Sequence, residues 1–212
     1  VCSQSMKDEI CNHFNLPQNK VDVIPNAIDA SKYEIPVDRG AVRQRYGVGW
    51  GEKLVLCVGR LVPQKGVEYF IRAIPKIARR FPEAKYVIVG EGWSRDLLEA
   101  EARASGHTDK IRFTGFASDI EVINLMTSAD VLVVPSIYEP FGIVALEGMA
   151  TGVPVVASQV GGLAEVIEHD TTGLFVYPRS PDSIAWGIGR ILADPDHARW
   201  ITENAKEKLH KA

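Results

Sequence analysis

Residues 53–90 read KLVLCVGRLVPQKGVEYFIRAIPKIARRFPEAKYVIVG. The stretch opens with a short run rich in β-branched residues, crosses a loop that holds Gly59 and Gly66, continues through an amphipathic segment, and closes on a second β-branched run. Short β-branched runs alternating with amphipathic segments are the signature of a parallel sheet covered by helices on both faces. Neither run alternates polar with apolar residues, so each strand is expected to be buried on both sides.

Working outward, the pattern repeats. Strands are expected at 53–59, 85–90, 111–115, 130–136, 154–158 and 173–178, and helices at 67–81, 94–106, 118–129, 142–152, 163–168, 181–194 and 197–211. Ser94, Ser118 and Ser180 suit N-caps, Pro181 suits a first helical position, and Gly106 and Gly152 suit helix C-terminal ends. The expected fold class is α/β, a doubly wound, mostly parallel sheet of about six strands.

The first fifty residues differ. VCSQSMKDEICNHFNL (1–16) reads as a strand end and a helix, VDVIPNAID (21–29) as a strand running into a turn, and SKYEIPVDRG (31–40) as an irregular linker. A boundary falls within 25–29, so residues 1–26 are expected to be the remnant of a preceding domain and 27–212 the main domain. The opening VCSQSM has no initiator Met and the closing KEKLHKA has no helix stop, which reads as a piece of a longer protein.

Composition narrows the function classes. Of 212 residues, 46% are hydrophobic and 24% charged, ordinary values for a globular chain with a real core. A net charge of -3 gives no reason to expect nucleic acid as a partner, so any anion site must be local. Cys2, Cys11 and Cys57 form no CxxC pair, which argues against a disulfide frame or a zinc site and for a reducing, cytoplasmic compartment. No apolar run approaches the roughly 18 residues of a membrane span. The five histidines, His13, His107, His169, His197 and His210, show no ligand spacing, and Ser136 lacks the GxSxG elbow.

In open parallel sheets ligands bind beyond the carboxyl ends of the strands, so the chemistry is sought in those loops. After the first strand, Gly59, Arg60 and Lys65 precede a helix. Two cations beside a helix N-terminus suit a diphosphate, and two solvated loop cations are the even alternative. VGEGWSR resembles a dinucleotide fingerprint only in part, because Arg95 stands at its third glycine position. Gly90 and Gly92 are then left to a tight turn or a close backbone approach. In TGFASD, Phe116 could stack on a base and Asp119 could accept from a ring N–H, although Phe116 is about twice as often a core residue. In QVGGLAEV, Gly161 and Gly162 either approach a ligand or make a tight turn.

SIYEPFGIVALEGMATG (136–152) carries Glu139 just before a helix and Glu147 within it. A carboxylate in an apolar helix is costly unless something pairs with it. The backbone N–H groups of Phe141, Gly142, Ile143 and Val144 would be the unpaired donors of the first turn. Two carboxylates on one loop and helix suit the vicinal hydroxyls of a sugar or ribose. Arg72, Lys76, Arg79 and Arg80 read as a solvated helix face, with a membrane-surface patch as the alternative.

In order, VGRLVPQKG, VIVGEG, FTGF, ADVLVVPS, EPFGIVALE, GVPVVAS, the GG before a helix and TGLFV resemble the retaining glycosyltransferase family 4. The resemblance runs from about Val21 to Asp194, with Ala27 standing where the family usually has glycine. It implies the C-terminal, nucleotide-sugar-binding, Rossmann-like half of a GT-B enzyme. It further implies that Arg60 and Lys65 hold a donor diphosphate, with Gly59 beside them, and that Glu147 holds the ribose. Glu139, Phe141, Gly142, Ile143 and Val144 would meet the donor sugar, and Phe116 the base. No metal or other cofactor is implied. The implied reaction is glycosyl transfer with retention, from a UDP-, GDP- or ADP-sugar to an acceptor bound mainly by an N-terminal domain. The same residues also fit a nucleotide-binding module without turnover, and the partial glycine match leaves a nicotinamide oxidoreductase as a third, discounted option.

Overall fold

The computed structural model describes residues 1–211. Among them six strands form one sheet: β1 Lys53–Val58, β2 Ala84–Val89, β3 Ile111–Gly115, β4 Val131–Val134, β5 Val155–Ser158 and β6 Leu174–Val176. Every neighbouring pair is parallel, in the order β3-β2-β1-β4-β5-β6. The chain winds outward from β1 to β3, returns across β1 to β4, and winds outward again. The loops leaving β1 and β4 therefore diverge, and the crevice between them is the natural ligand site of such a sheet.

The helices are α1 Gln4–Phe14, α2 Arg39–Arg45, α3 Val67–Arg80, α4 Arg95–Ala104, α5 Asp119–Ser128, α6 Ile143–Thr151, α7 Leu163–Val166, α8 Pro181–Ala193 and α9 Pro195–Lys211. Side chains alternate across the strands. Val55, Cys57, Tyr86, Ile88, Val131 and Val133 join the α3 and α8 side chains in one core. Leu54, Leu56, Val87, Val89, Leu132 and Val134 join those of α5 and α6 in the other. Both faces are apolar and covered, as the unbroken hydrophobic runs require. Each fully buried Leu, Ile or Phe, such as Leu56, Ile74 or Phe70, contributes about 1.5–3 kcal/mol. α9 gives Ile201 to the first core and Ala205 to the second, so it fastens the two layers together.

Start signals act largely as expected. Ser118 accepts from Glu121 N while the Glu121 side chain returns to the Ser118 backbone, and Ser180 accepts from Ser183 N. Ser94 occupies the position before α4 but has helical backbone angles and no capping bond. α7 is shorter than the expected 163–168, and α9 starts at Pro195 rather than 197.

The first fifty residues depart most from expectation. No strand forms at 21–29; its middle is tied to Val1, through Val1 N to Asp22 O (2.9 Å) and Ile24 N to Val1 O (2.8 Å), and its end to the turn that follows, through Lys32 N to Asp29 O (3.1 Å). With no neighbouring strand, there is no ladder to join. The expected irregular linker holds a 3₁₀ turn, Ala30–Tyr33, and the start of α2, which Asp38 caps by accepting from Ala41 N at 2.9 Å. Arg43 of α2 reaches Asp130 at 3.0 Å, tying that helix to the start of β4.

The edge strand β6 is closed by side chains. Phe175 N donates to His169 Nδ1 (2.9 Å) and Tyr177 N to Ser183 Oγ (2.9 Å), so these outward backbone donors are occupied. Of the four cations along α3, Arg72 pairs with Glu101 of α4 and Lys76 with Asp182 of α8, so the face expected to be solvated is in part a seam between helices. Among the described residues no helix is long and apolar enough to cross a membrane.

Candidate functional site

The crevice is built by the loops after β1 and β4. The first holds Gly59, the exposed Arg60, and a 3₁₀ turn at Pro63–Lys65. It ends at Gly66, whose φ of +63 and lack of a Cβ are both required, since a Cβ would fall 2.1 Å from Pro135 O. Gln64 O accepts from Ile137 N (2.8 Å) and Tyr138 N (3.2 Å), which stitches the two loops together.

That stitching brings Lys65 to Glu139. Lys65 Nζ donates to Glu139 Oε2 at 2.7 Å, and Ser136 Oγ donates to the same oxygen at 3.0 Å. Glu139 is 8% exposed and Ser136 1%, so the charge is nearly out of water and these two partners make its burial tolerable. Among the described residues no protein group bonds Glu139 Oε1, which is left to accept from a ligand hydroxyl. The Arg60 side chain has no ion pair among the described residues. It is exposed and makes no side-chain hydrogen bond among the described residues.

α6 starts where this loop ends. Its first hydrogen bonds run from Ala145 N and Leu146 N to Gly142 O, so the N–H groups of Phe141, Gly142, Ile143 and Val144 have no protein acceptor among the described residues. Together with the positive end of the helix dipole they make a site for an anion or a sugar hydroxyl.

One turn on from Ile143, Glu147 lies on the same side of α6. It is half-buried and accepts from Tyr33 Oη at 3.0 Å. Burial raises its pKa above the usual carboxylate range, the Tyr33 hydrogen bond opposes that rise, and the negative charge of Asp119 adds to it. The Tyr33 hydroxyl is pushed up to about 12, by burial first and then by Glu147. Asp119, at the start of α5, thus belongs to the neighbourhood of Glu147. Phe116, just before α5, is 79% exposed, so the core role that is commoner for such a residue does not apply here.

The glycines of the other loops serve the scaffold. A Cβ on Gly90 would fall 2.0 Å from Gly59 O, and on Gly92 2.2 Å from Leu61 O. On Gly161 it would fall 2.1 Å from Glu139 O, and on Gly162 2.3 Å from Phe141 Cα. These residues let loop backbones lie against the two site loops, and Gly162 N bonds Glu139 O at 2.9 Å.

Two supports of the site were not visible in the sequence. Tyr33 is one. The other is α1: Ser3 Oγ accepts from Met6 N (3.1 Å) as the helix cap and donates to Pro140 O (2.7 Å). Glu165 accepts from Gln4 N and Ser5 N, and Tyr138 Oη donates to Glu9 at 3.1 Å. A Ser capping a helix is legible in VCSQSM, but its second bond depends on a loop 137 residues away. Among the described residues no group of three or more His, Cys, Asp or Glu is placed to hold a metal ion.

Comparison with known proteins places this chain in a family. An uncharacterised glycosyltransferase of Methanocaldococcus jannaschii is 48% identical over 212 residues, covering 99% of this chain and 54% of that protein. The Anabaena protein HepE, solved in complex with UDP and glucose, superposes with a TM-score of 0.91 at 27% identity, covering 100% of this chain and 57% of that one. A C-terminal domain of a glycosyl transferase group 1 family protein from Francisella tularensis superposes with a TM-score of 0.77 at 28% identity, covering 87% of this chain and 97% of that one. The chain thus spans about half the length of the curated relatives it matches. The family model described as glycosyl transferases group 1 matches residues 38–208, from the cap of α2 into α9, and the chain belongs to that family.

Proposed function

We propose that this chain is the donor-binding half of a retaining glycosyltransferase of family 4, which transfers a glycosyl group from a nucleotide sugar to an acceptor. The observation that carries the reading is the convergence of Lys65, Glu139 and the free first-turn donors of α6 at the point where the strand order reverses. In this reading Arg60 and Lys65 hold the donor diphosphate, Glu147 the ribose, and the exposed ring of Phe116 the base. Glu139 Oε1 and the amides of residues 141–144 meet the donor sugar. Residues 1–26 derive from the preceding domain, which with its own surface supplies most of the acceptor site, and 27–212 are the donor domain. The three free thiols are the ground for placing the protein in the cytoplasm.

In the transfer step the bond between the sugar C1 and the diphosphate oxygen breaks with its electron pair going to the diphosphate. The acceptor oxygen bonds to C1 on the same face, and its proton passes to the departing phosphate. Negative charge grows on the diphosphate as it leaves, and Arg60, Lys65 and the α6 dipole are fixed in advance to stabilise it. In this reading they supply the positive charge for which other transferases use a divalent cation. Glu139, held at Oε2 by Lys65 and Ser136, orients the sugar and does not attack it.

The HepE complex with UDP supports a nucleoside diphosphate as ligand. Calorimetry with UDP, GDP and ADP is expected to detect binding by this chain, while transfer is expected only when the preceding domain is present. Arg60→Ala and Lys65→Ala should each weaken the preferred diphosphate by about 1.5–3 kcal/mol, the range of a charge-assisted hydrogen bond. Unchanged affinity in both variants would sink the assignment, and binding without transfer by the full-length protein would leave a nucleotide-binding module.

A further inference from the structure

We infer that Tyr33 is a positioning residue for the donor site, holding Glu147 as an oriented acceptor for the two hydroxyls of a ribose. The inference rests on the reading above for the role of Glu147, and extends it to a residue from outside the sheet. Tyr33 sits on the 3₁₀ turn Ala30–Tyr33. That turn is shaped locally, because Asp29 Oδ1 accepts from Ser31 N at 3.2 Å and from Ser31 Oγ at 2.6 Å. It rests against α6, and the Tyr33 hydroxyl reaches Glu147 Oε1 at 3.0 Å across 114 residues.

Glu147 needs such a partner. It is half-buried, no cation pairs with it among the described residues, and Asp119 adds like charge nearby. Both effects favour the protonated acid, which would lose acceptor capacity where a diol needs it. A single hydroxyl donor opposes them while using only one of the lone pairs of Oε1. Oε2 and the rest of Oε1 stay open for hydroxyl donors. The Tyr33 hydrogen bond also restrains the glutamate before any ligand arrives, which lowers the entropy lost on binding.

The test compares ribose with a sugar that lacks both hydroxyls. Affinities of the whole chain for UDP, GDP and ADP, each beside its 2′,3′-dideoxy counterpart, are measured by calorimetry in the parent, Tyr33→Phe, Glu147→Ala and the double variant. Tyr33→Phe should weaken the preferred ribonucleotide by about three- to tenfold, the range of one ordinary intramolecular hydrogen bond. It should leave the dideoxy ligand unchanged and have no effect in the Glu147→Ala background. Equal weakening of both ligands would mean a merely structural role, and tighter ribonucleotide binding would mean that Tyr33 competes with the ligand; either overturns the inference. If Glu147→Ala fails to discriminate ribose from dideoxyribose, or the parent binds none of the three nucleotides, the donor-site reading falls and takes the inference with it. If Glu147→Ala discriminates and Tyr33→Phe does not, the inference alone falls.

Discussion

Lys65 Nζ lies 2.7 Å from Glu139 Oε2, although 74 residues separate them. The pair joins the loop after β1 to the loop after β4 across the crevice where the sheet reverses direction. Glu139 is the more buried partner, so removing the lysine strands a charge that only Ser136 still contacts. Lys65→Met is therefore expected to lower stability by about 1–3 kcal/mol, the cost of an unsatisfied buried polar group. Adding Glu139→Gln should recover part of that loss, because the double variant no longer buries a charge. Urea unfolding of the two single variants and the double supplies the coupling energy. Strictly additive losses would mean that the two side chains do not interact.

The environment of Glu147 sets a pH dependence with a defined sign. Its folded-state pKa is raised above that of an unfolded carboxyl, by burial and then by Asp119 against the Tyr33 hydrogen bond. The folded protein therefore holds this proton where the unfolded chain has released it, so the contribution to stability is full below the usual carboxylate range and is lost as pH rises through the folded value. The stability of the parent minus that of Glu147→Gln should fall as pH rises from the usual carboxylate range through the raised folded value, and then level off. Denaturant titrations across that range measure the difference, and a difference that grows with pH would reverse the assigned sign.

Gly161 carries a structural demand that can be separated from ordinary glycine flexibility. Its φ is +48 and a Cβ would fall 2.1 Å from Glu139 O, so Gly161→Ala must push the Glu139 loop away. The expected cost is at least about 2 kcal/mol, seen as a fall of several degrees in Tm, with weaker nucleotide-sugar binding. Gly51→Ala is the matched control, since Gly51 has φ +86 but nothing within 4 Å of the added carbon. Equal losses in both variants would reduce the Gly161 effect to its φ angle.

The sequence by itself determined the layered α/β fold, because hydrophobic periodicity reports local burial and the inner strands β1, β2, β4 and β5 are buried on both faces. It also singled out the loops in which Arg60, Lys65, Glu139 and Glu147 are proposed to act, because strand ends and helix starts are positions that spacing alone can read. Tertiary structure decided the rest. Among the described residues no strand pairs with residues 21–29, so that run stays outside the sheet. α2 was hidden because its seven residues carry a weak pattern and are held by Asp38 and by Arg43 reaching Asp130. Phe116 could be core or platform by composition, and only its place outside both cores made it exposed. The partners of Glu139, Glu147 and Pro140 come from 74, 114 and 137 residues away. No local pattern encodes those contacts, since they follow from where the parallel crossovers and the opening segment return each chain segment to the ends of β1 and β4.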